Sequence, residues 1–384
     1  MEENMGIRKD RLKKVLIWLL ASMTMVVFIA CGSSDDDDDD DDDVVTNVTI
    51  SGYVMDGYGS DATVCIDTND NGEIDADEPQ TTTNATGFFF FSRNPSDPTG
   101  DILSEGGTDI TTGNTLPPMT TPAPTQGADS TVVITPVSTL VNDRVKNLGE
   151  DTQTANNNVA SALGLSDTFN LISYNFVEGT KSSDPTASQA SVTLAAVASQ
   201  ITSLFNTANS MASTSLTQTA SVEKTVAGTI SSYVNALISG GSQVTDTLMN
   251  SQSVGGALDS VANAISSSQG ANFNATTYSQ TAANVALIIA DTNTQVLQAV
   301  QSSTDPFAAL TTIVAGSKTQ NVVAQTAQEV ITGSADSTAL QNFTTTVIQE
   351  QIQTQASQVD QTTLAPDVSD NPTPATGSSG GTGD

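Results

Sequence analysis

The sequence predicts an α+β chain of two domains: a small β-sandwich with a calcium loop, then an all-α helical bundle, with disordered termini. Three observations lead there. Apolar residues recur at period two in short segments between Val48 and Phe91, the spacing of half-buried strands. A twelve-residue run rich in oxygen-bearing side chains, Asp67 to Glu78, interrupts those strands. From Pro136 the apolar spacing changes to alternating threes and fours, the seam of packed helices.

At the start of the chain, Arg8, Lys9, Arg11, Lys13 and Lys14 precede the apolar run Val15 to Ala30 in the layout of an export signal. The run is shorter than the ~20 residues a helix needs to cross a ~30 Å hydrocarbon core, which disfavours the competing reading of an uncleaved anchor. Phe28-Ile29-Ala30-Cys31 resembles the lipobox of bacterial lipoprotein precursors, with Phe28 where that family usually has Leu. The resemblance implies a signal peptide over 1–30, cleavage before Cys31, lipid on Cys31, and a place in the cell envelope at the outer membrane. Gly32, Ser33, Ser34 and the aspartate block Asp35 to Asp43 follow. Like charges in a block repel and extend, so residues 31–43 read as a lipidated cysteine plus tether, too flexible to cage an ion. Acidic residues directly after the lipidated cysteine resemble the surface-export signals of some outer-membrane lipoproteins.

The full chain has 384 residues, with 11 Lys+Arg against 43 Asp+Glu and no histidine. Residues 1–30 hold five of the cations and three of the acids, so the mature chain carries about −34, a charge that repels phosphate backbones and argues against nucleic acid as a partner. The lack of histidine excludes His-dependent hydrolase triads and zinc-protease motifs. With Cys31 committed to lipid, Cys65 has no second cysteine to pair with.

Over 44–115 the strand candidates are Val48, Ile50 and Val54, then Ala62, Val64 and Ile66, then Phe88 to Phe91. Four successive aromatics exceed a one-sided pattern. One pair, 88/90 or 89/91, is expected to face the core and the other to cover an edge or a partner. Between the second and third candidates, Asp67 to Glu78 matches the twelve-residue calcium-loop pattern: oxygen side chains at positions 1, 3, 5 and 9, Gly72 at 6, an aliphatic at 8 and glutamate at 12. The predicted calcium ligands are Asp67, Asn69, Asn71, the Glu73 carbonyl, Asp75 and bidentate Glu78, with Asp70 and Asp77 outside the ligand set. The competing reading is an acidic hairpin that binds no ion. The flanks read as strands, so a helix-loop-helix hand is not expected, and the single copy argues against paired-loop dockerin modules.

The residues Gly52 to Gly57, Ala62 to Asp67, Asn69 to Gly72, Asp77 to Pro79 and Thr83 to Phe88 resemble the carboxypeptidase-regulatory-like and adhesin B-repeat domains, transthyretin-like β-sandwiches of bacterial surface proteins. A looser likeness extends through Leu103 to Thr108 and Val133 to Val141. The resemblance implies a sandwich fold and a calcium site, and no reaction. Many relatives have a second cysteine near position 74, where this chain has Ile74, so Cys65 is expected to be a buried free thiol.

A proline-rich linker is expected over 116–134 and a helical bundle over 135–361, with about seven helices. Thr135-Pro136, Asp184-Pro185 and Asp305-Pro306 each place a capping side chain before proline at the first helical position. Heptad seams run through Ala190, Leu194, Val197, Ile201, Leu204, Ala208 and Met211, through Val226, Ile230, Tyr233 and Leu237, and through Val254, Leu258, Val261 and Ile265. Breaks are expected at Gly240-Gly241, Ser266 to Gly270 and Thr332 to Ser334, and Tyr174, Phe176, Tyr233, Phe273 and Tyr278 read as core anchors. Few charges flank the seams, which favours an intramolecular bundle over an oligomeric rod. Residues 362–384 read as a disordered tail.

No paired base and nucleophile is evident, so the expectation is a non-catalytic lipid-anchored surface protein, a calcium-stabilised adhesion or envelope-structural module whose partner is a surface protein or glycan. The alternative is a glycan- or small-ligand-binding lipoprotein of an uptake or degradation system. Its candidate platform is Tyr53, Tyr58 and Phe88 to Phe91, since Trp18 leaves with the signal.

Overall fold

The structure, a computed structural model, describes residues 46–166, 169–213, 220–269 and 273–372. The expected signal, Cys31, the polyaspartate tether and residues 373–384 lie outside the described residues. The fold is mixed α+β, 54% helix and 13% strand, with the sheets in the N-terminal half and the helices in the C-terminal half.

Nine strands are present among the described residues: β1 Val48–Val54, β2 Gly59–Ser60, β3 Thr63–Asp67, β4 Gln80–Thr82, β5 Phe88–Arg93, β6 Asp101–Glu105, β7 Thr108–Asp109, β8 Met119–Thr121 and β9 Ser130–Ile134. The first sheet has the order β5-β1-β9, the second β4-β3-β6-β8, and β2 pairs with β7 as a short ribbon. In the first sheet β5 runs antiparallel to β1, Val48 opposite Arg93 and Tyr53 opposite Phe88. β9 runs parallel to β1, Ile50 opposite Ser130 and Val54 opposite Ile134. In the second sheet β3 lies antiparallel to β6, with Thr63 opposite Glu105 and Asp67 opposite Asp101.

Side chains alternate across a strand, so each strand of the first sheet can serve two cores. Ile50, Val54, Phe89, Phe91, Val132 and Ile134 meet Val64, Ile66, Ile102 and Met119 of the second sheet in one apolar cluster. Val133, on the opposite face of β9, packs instead with Met55, Tyr58 and the helices. The first sheet is therefore covered on both faces, the condition under which a parallel strand pair is stable. The aromatic run follows this division: Phe89 and Phe91 pack edge to face in the inter-sheet core at 6.0 Å, Phe88 meets Tyr53 on the other side, and Phe90 is exposed.

The stretch 116–134, expected to be a linker, contains β8 and β9. Its prolines, Pro117, Pro118, Pro122 and Pro124, flank β8, a sheet edge, where an absent N–H breaks no ladder.

Eleven helical segments follow among the described residues: α1 Pro136–Leu148, α2 Thr152–Ala162, α3 Phe176–Gly179, α4 Pro185–Ala212, α5 Ala220–Ser239, α6 Val244–Met249, α7 Ser251–Gln269, α8 Ala275–Ser302, α9 Pro306–Thr332, α10 Thr338–Gln341 and α11 Thr345–Ala356. The three expected starts are in place. Thr135 and Ser138 form a reciprocal capping box at α1, and the Asp184 and Asp305 carboxylates accept from Thr186 N and Phe307 N. Gly333 ends α9 in the left-handed conformation. The α4 and α7 seams are buried, apart from half-buried Ala190.

Two expectations need correction. The buried stripe of α5 is Val222, Val226, Ile230, Val234 and Ile238, with Tyr233 and Leu237 only half-buried. The same face carries Asn235, whose amide donates to Leu140 O and Asp143 Oδ2 of α1 and turns the helix one residue from the heptad reading. The break expected over Ser266 to Gly270 does not open at Ser266, since α7 continues to Gln269 with Ser267 and Ser268 hydroxyls bonded back to the carbonyls of Asn263 and Ile265, and Gly270 lies outside the described residues.

The helices and the first sheet share one core, in which Met55, Tyr58 and Val133 join Leu140, Leu194 and Phe205. After α11 the chain places Leu364 in that core, and the side chain of Asn371 bonds with Asn84, Thr86 and Tyr53, so the expected tail is anchored at these two residues.

Candidate metal centre

The loop from Asp67 to Glu78 joins β3 to β4, and Ile66 N donating to Pro79 O at 3.0 Å closes its base. Two residues turn the chain back on itself, Asp70 at φ 60° and Gly72 at φ 73°. A Cβ on Gly72 would meet nothing within 4 Å, so glycine is demanded there by the backbone angle and not by space. The Asp67 carboxylate holds the turn by accepting from Asn71 N at 3.1 Å and Gly72 N at 2.8 Å.

Asn69 Oδ1 accepts from Asn71 N, and Asn71 Oδ1 from Glu73 N, which fixes both carboxamides. Their nitrogens converge on Asp75 Oδ2, at 2.9 Å from Asn69 and 2.7 Å from Asn71. These two donors hold the Asp75 carboxyl below its ordinary range. Glu78 is buried at the base of the loop. Its Oε1 accepts from Thr68 N at 2.7 Å and Asn69 N at 3.3 Å, and its Oε2 from Asp75 N and the Cys65 thiol, both at 3.3 Å. Burial opposes the Glu78 charge, but the thiol and the three N–H groups outweigh it and lower the pKa. Cys65 is the expected buried free thiol, pushed up to about 12 by burial and then by the Glu78 carboxylate.

The structure thus brings Asn69, Asn71 and Asp75 to one point and sets Asp67 and Glu78 at the loop's base. Among the described residues no three Asp, Glu or Cys side chains stand close enough to hold a metal ion. The donor set is nonetheless all oxygen and fits a hard cation such as calcium. Asn69 and Asn71 would present their carboxamide oxygens where their nitrogens now meet Asp75, and Glu78 would give up N–H donors to ligate.

The Glu73 side chain leaves the loop for Lys224 of α5, whose Nζ lies 2.8 Å from Glu73 and 2.6 Å from Glu105. Lys146 of α1 bridges Asp70 and, at 3.1 Å, Asp101. Partial burial works against both ammonium charges, and the flanking carboxylates raise both pKa values above normal regardless. Sequence reading missed this pair. The usable signal was scarcity: only six Lys and Arg follow residue 30, and two of them end at this loop.

Of the aromatics considered for a glycan platform, Phe90 is 44% exposed, whereas Tyr58 is 1% exposed and donates from its hydroxyl to Asn175 Oδ1. Among the described residues no helix is long and apolar enough to cross a membrane. No protein-family model matches the chain, and no match was found to a curated protein or a solved structure.

Proposed function

We propose that this chain is a non-catalytic, lipid-anchored surface protein of two modules, a β-sandwich stiffened by calcium at the 67–78 loop and a helical bundle, serving adhesion or envelope structure. The convergence of Asn69 and Asn71 on Asp75, within a loop closed by Asp67 and Glu78, carries the calcium reading. A bound calcium would place its charge among Asp67, Asp75 and Glu78, whose carboxylates N–H groups and carboxamides now hold. The remaining work belongs to the protein's own groups: Asp67 shapes the turn, Glu78 ties its two ends while no ion is bound, and Lys146 and Lys224 hold the loop to the helices. The anchor reading rests on the Phe28 to Cys31 lipobox resemblance and the acidic tether after it.

Two measurements test these parts. Calcium titration of the full chain in detergent, by calorimetry and thermal melting, should show saturable binding and a raised melting temperature, both lost in the Asp67→Ala/Glu78→Ala double variant. A flat titration would remove calcium from the proposal. Labelled fatty acid should enter the protein in cells and fail to enter Cys31→Ala; equal labelling of both would sink the anchor.

A further inference from the structure

A second gathering of oxygens lies inside the protein, away from the loop. Asp56 follows β1 and Asp109 ends β7, and they are 7% and 1% exposed. Gly57 lets the turn after Asp56 lie against Asp109, since a Cβ there would stand 2.4 Å from Asp109 Oδ1 and 2.8 Å from Thr111 Oγ1. Both aspartates line a cavity of about 20 Å³ shared with Val177 of α3, Ser199 of α4 and Ile313 of α9. No lysine or arginine lines it, and neither aspartate joins an ion pair among the described residues.

The two carboxylates are not equally provided for. Asp109 accepts from Thr111 N at 2.9 Å, Thr111 Oγ1 at 2.8 Å and Thr112 Oγ1 at 2.6 Å. Asp56 Oδ1 is buried without a hydrogen-bond partner, and the buried Thr202 hydroxyl faces Asp56 without closing a bond of good geometry. Buried carboxylates are normally paired or bound to metal, because an uncompensated charge in a low dielectric is costly. The cavity exceeds the ~10–15 Å³ that one water-sized occupant needs. Its polar side chains are carboxylates and hydroxyls, with no nitrogen or sulfur ligand among them, the donor chemistry of a hard cation.

We propose that Asp56 and Asp109 form a second, internal site for a divalent cation of the calcium class, placed where the β1–β2 turn and the chain after β7 meet helices α3, α4 and α9. A doubly charged ion balances the two carboxylates and gives Asp56 Oδ1 the partner that the protein does not supply. The ion then links the sheet half to the helical half from within, as the lysines do from outside.

Metal content tests this independently of the loop. Full-length protein in detergent is loaded with calcium, passed through a desalting column and assayed by mass spectrometry for calcium per chain. The expected result is two in the wild type, one in Asp67→Ala/Glu78→Ala, one in Asp56→Asn and none in the combined variant. One calcium in the wild type and the loop variant, with none in Asp56→Asn, would uphold the internal site while defeating the loop. An Asp56→Asn protein with the wild-type content overturns the internal site, as does a loop variant with no calcium. If Asp56→Asn fails to fold by circular dichroism, the loop variant alone decides.

Discussion

The 67–78 loop and the Asp56/Asp109 pair both collect carboxylates, and they carry opposite electrostatic signs of strain. In the loop, N–H groups and carboxamides reach every inward carboxylate, so the Asp75 and Glu78 pKa values fall. In the interior, burial raises both Asp56 and Asp109, Asp56 being pushed further by the charge of Asp109. The contrast shows that acid density is a poor guide to ion demand. What matters is how many donors the backbone has already committed, and the exposed loop commits many where the turn at Asp56 leaves one oxygen unsupplied.

Three experiments sharpen or break this contrast, the largest effect first. Gly57→Ala forces a Cβ onto Asp109 and should cost about 3 kcal/mol in urea unfolding, as overpacking does. Gly72→Ala, strained in angle but spatially free, should cost about 1 kcal/mol. Equal losses would show that the turn at Asp56 is looser than its contacts suggest.

Glu78→Gln should cost about 2 kcal/mol at pH 7, because three N–H groups lose a charged acceptor. The pH dependence has a definite sign. The folded Glu78 pKa is depressed, so its contribution is complete above the ordinary value near 4.5 and is lost as pH falls through the folded value. Calcium-free melts from pH 7 to pH 3 should therefore show a shallower acid decline in Glu78→Gln than in the wild type, and parallel curves would count against the depressed value. Asp56 and Asp109, with raised values, act the other way: without an ion they favour the folded state at low pH and lose that contribution as pH rises.

The smallest effect belongs to the outer lysines. Lys224→Met should lower stability by only about 0.5 kcal/mol, since Glu73 is well exposed. Amide exchange at Asp70 to Ile74 should quicken while exchange near Asp56 stays unchanged. Acceleration at both places would mean that the two sites are one cooperative unit.

Helix starts and the reversal within the 67–78 loop were legible because they are local. A capping side chain followed by proline acts within one turn, and the Asp67 to Glu78 spacing encodes its own reversal at Gly72. Distant pairings were not legible. β9 reads as a fragment among prolines until β1, some 80 residues earlier, is known to lie beside it. Asp56 follows β1 and Asp109 ends β7, far apart in sequence, and only the fold places them around one cavity. The α5 stripe departed from its heptad because Asn235, polar and unremarkable in sequence, is spent on α1.

The parallel pairing of β1 with β9 also gives the molecule a mechanical direction. β1 begins at its N-terminal end, while β9 runs beside it the same way and passes almost directly into α1. Tension applied ahead of Val48 and resisted by the helices would pull the two strands along their lengths in opposite directions. The evenly spaced bonds of a parallel ladder lie across that pull and share the load. The register from Ile50–Ser130 to Val54–Ile134 would then yield as a group in shear, where peeling an edge would break its bonds one at a time.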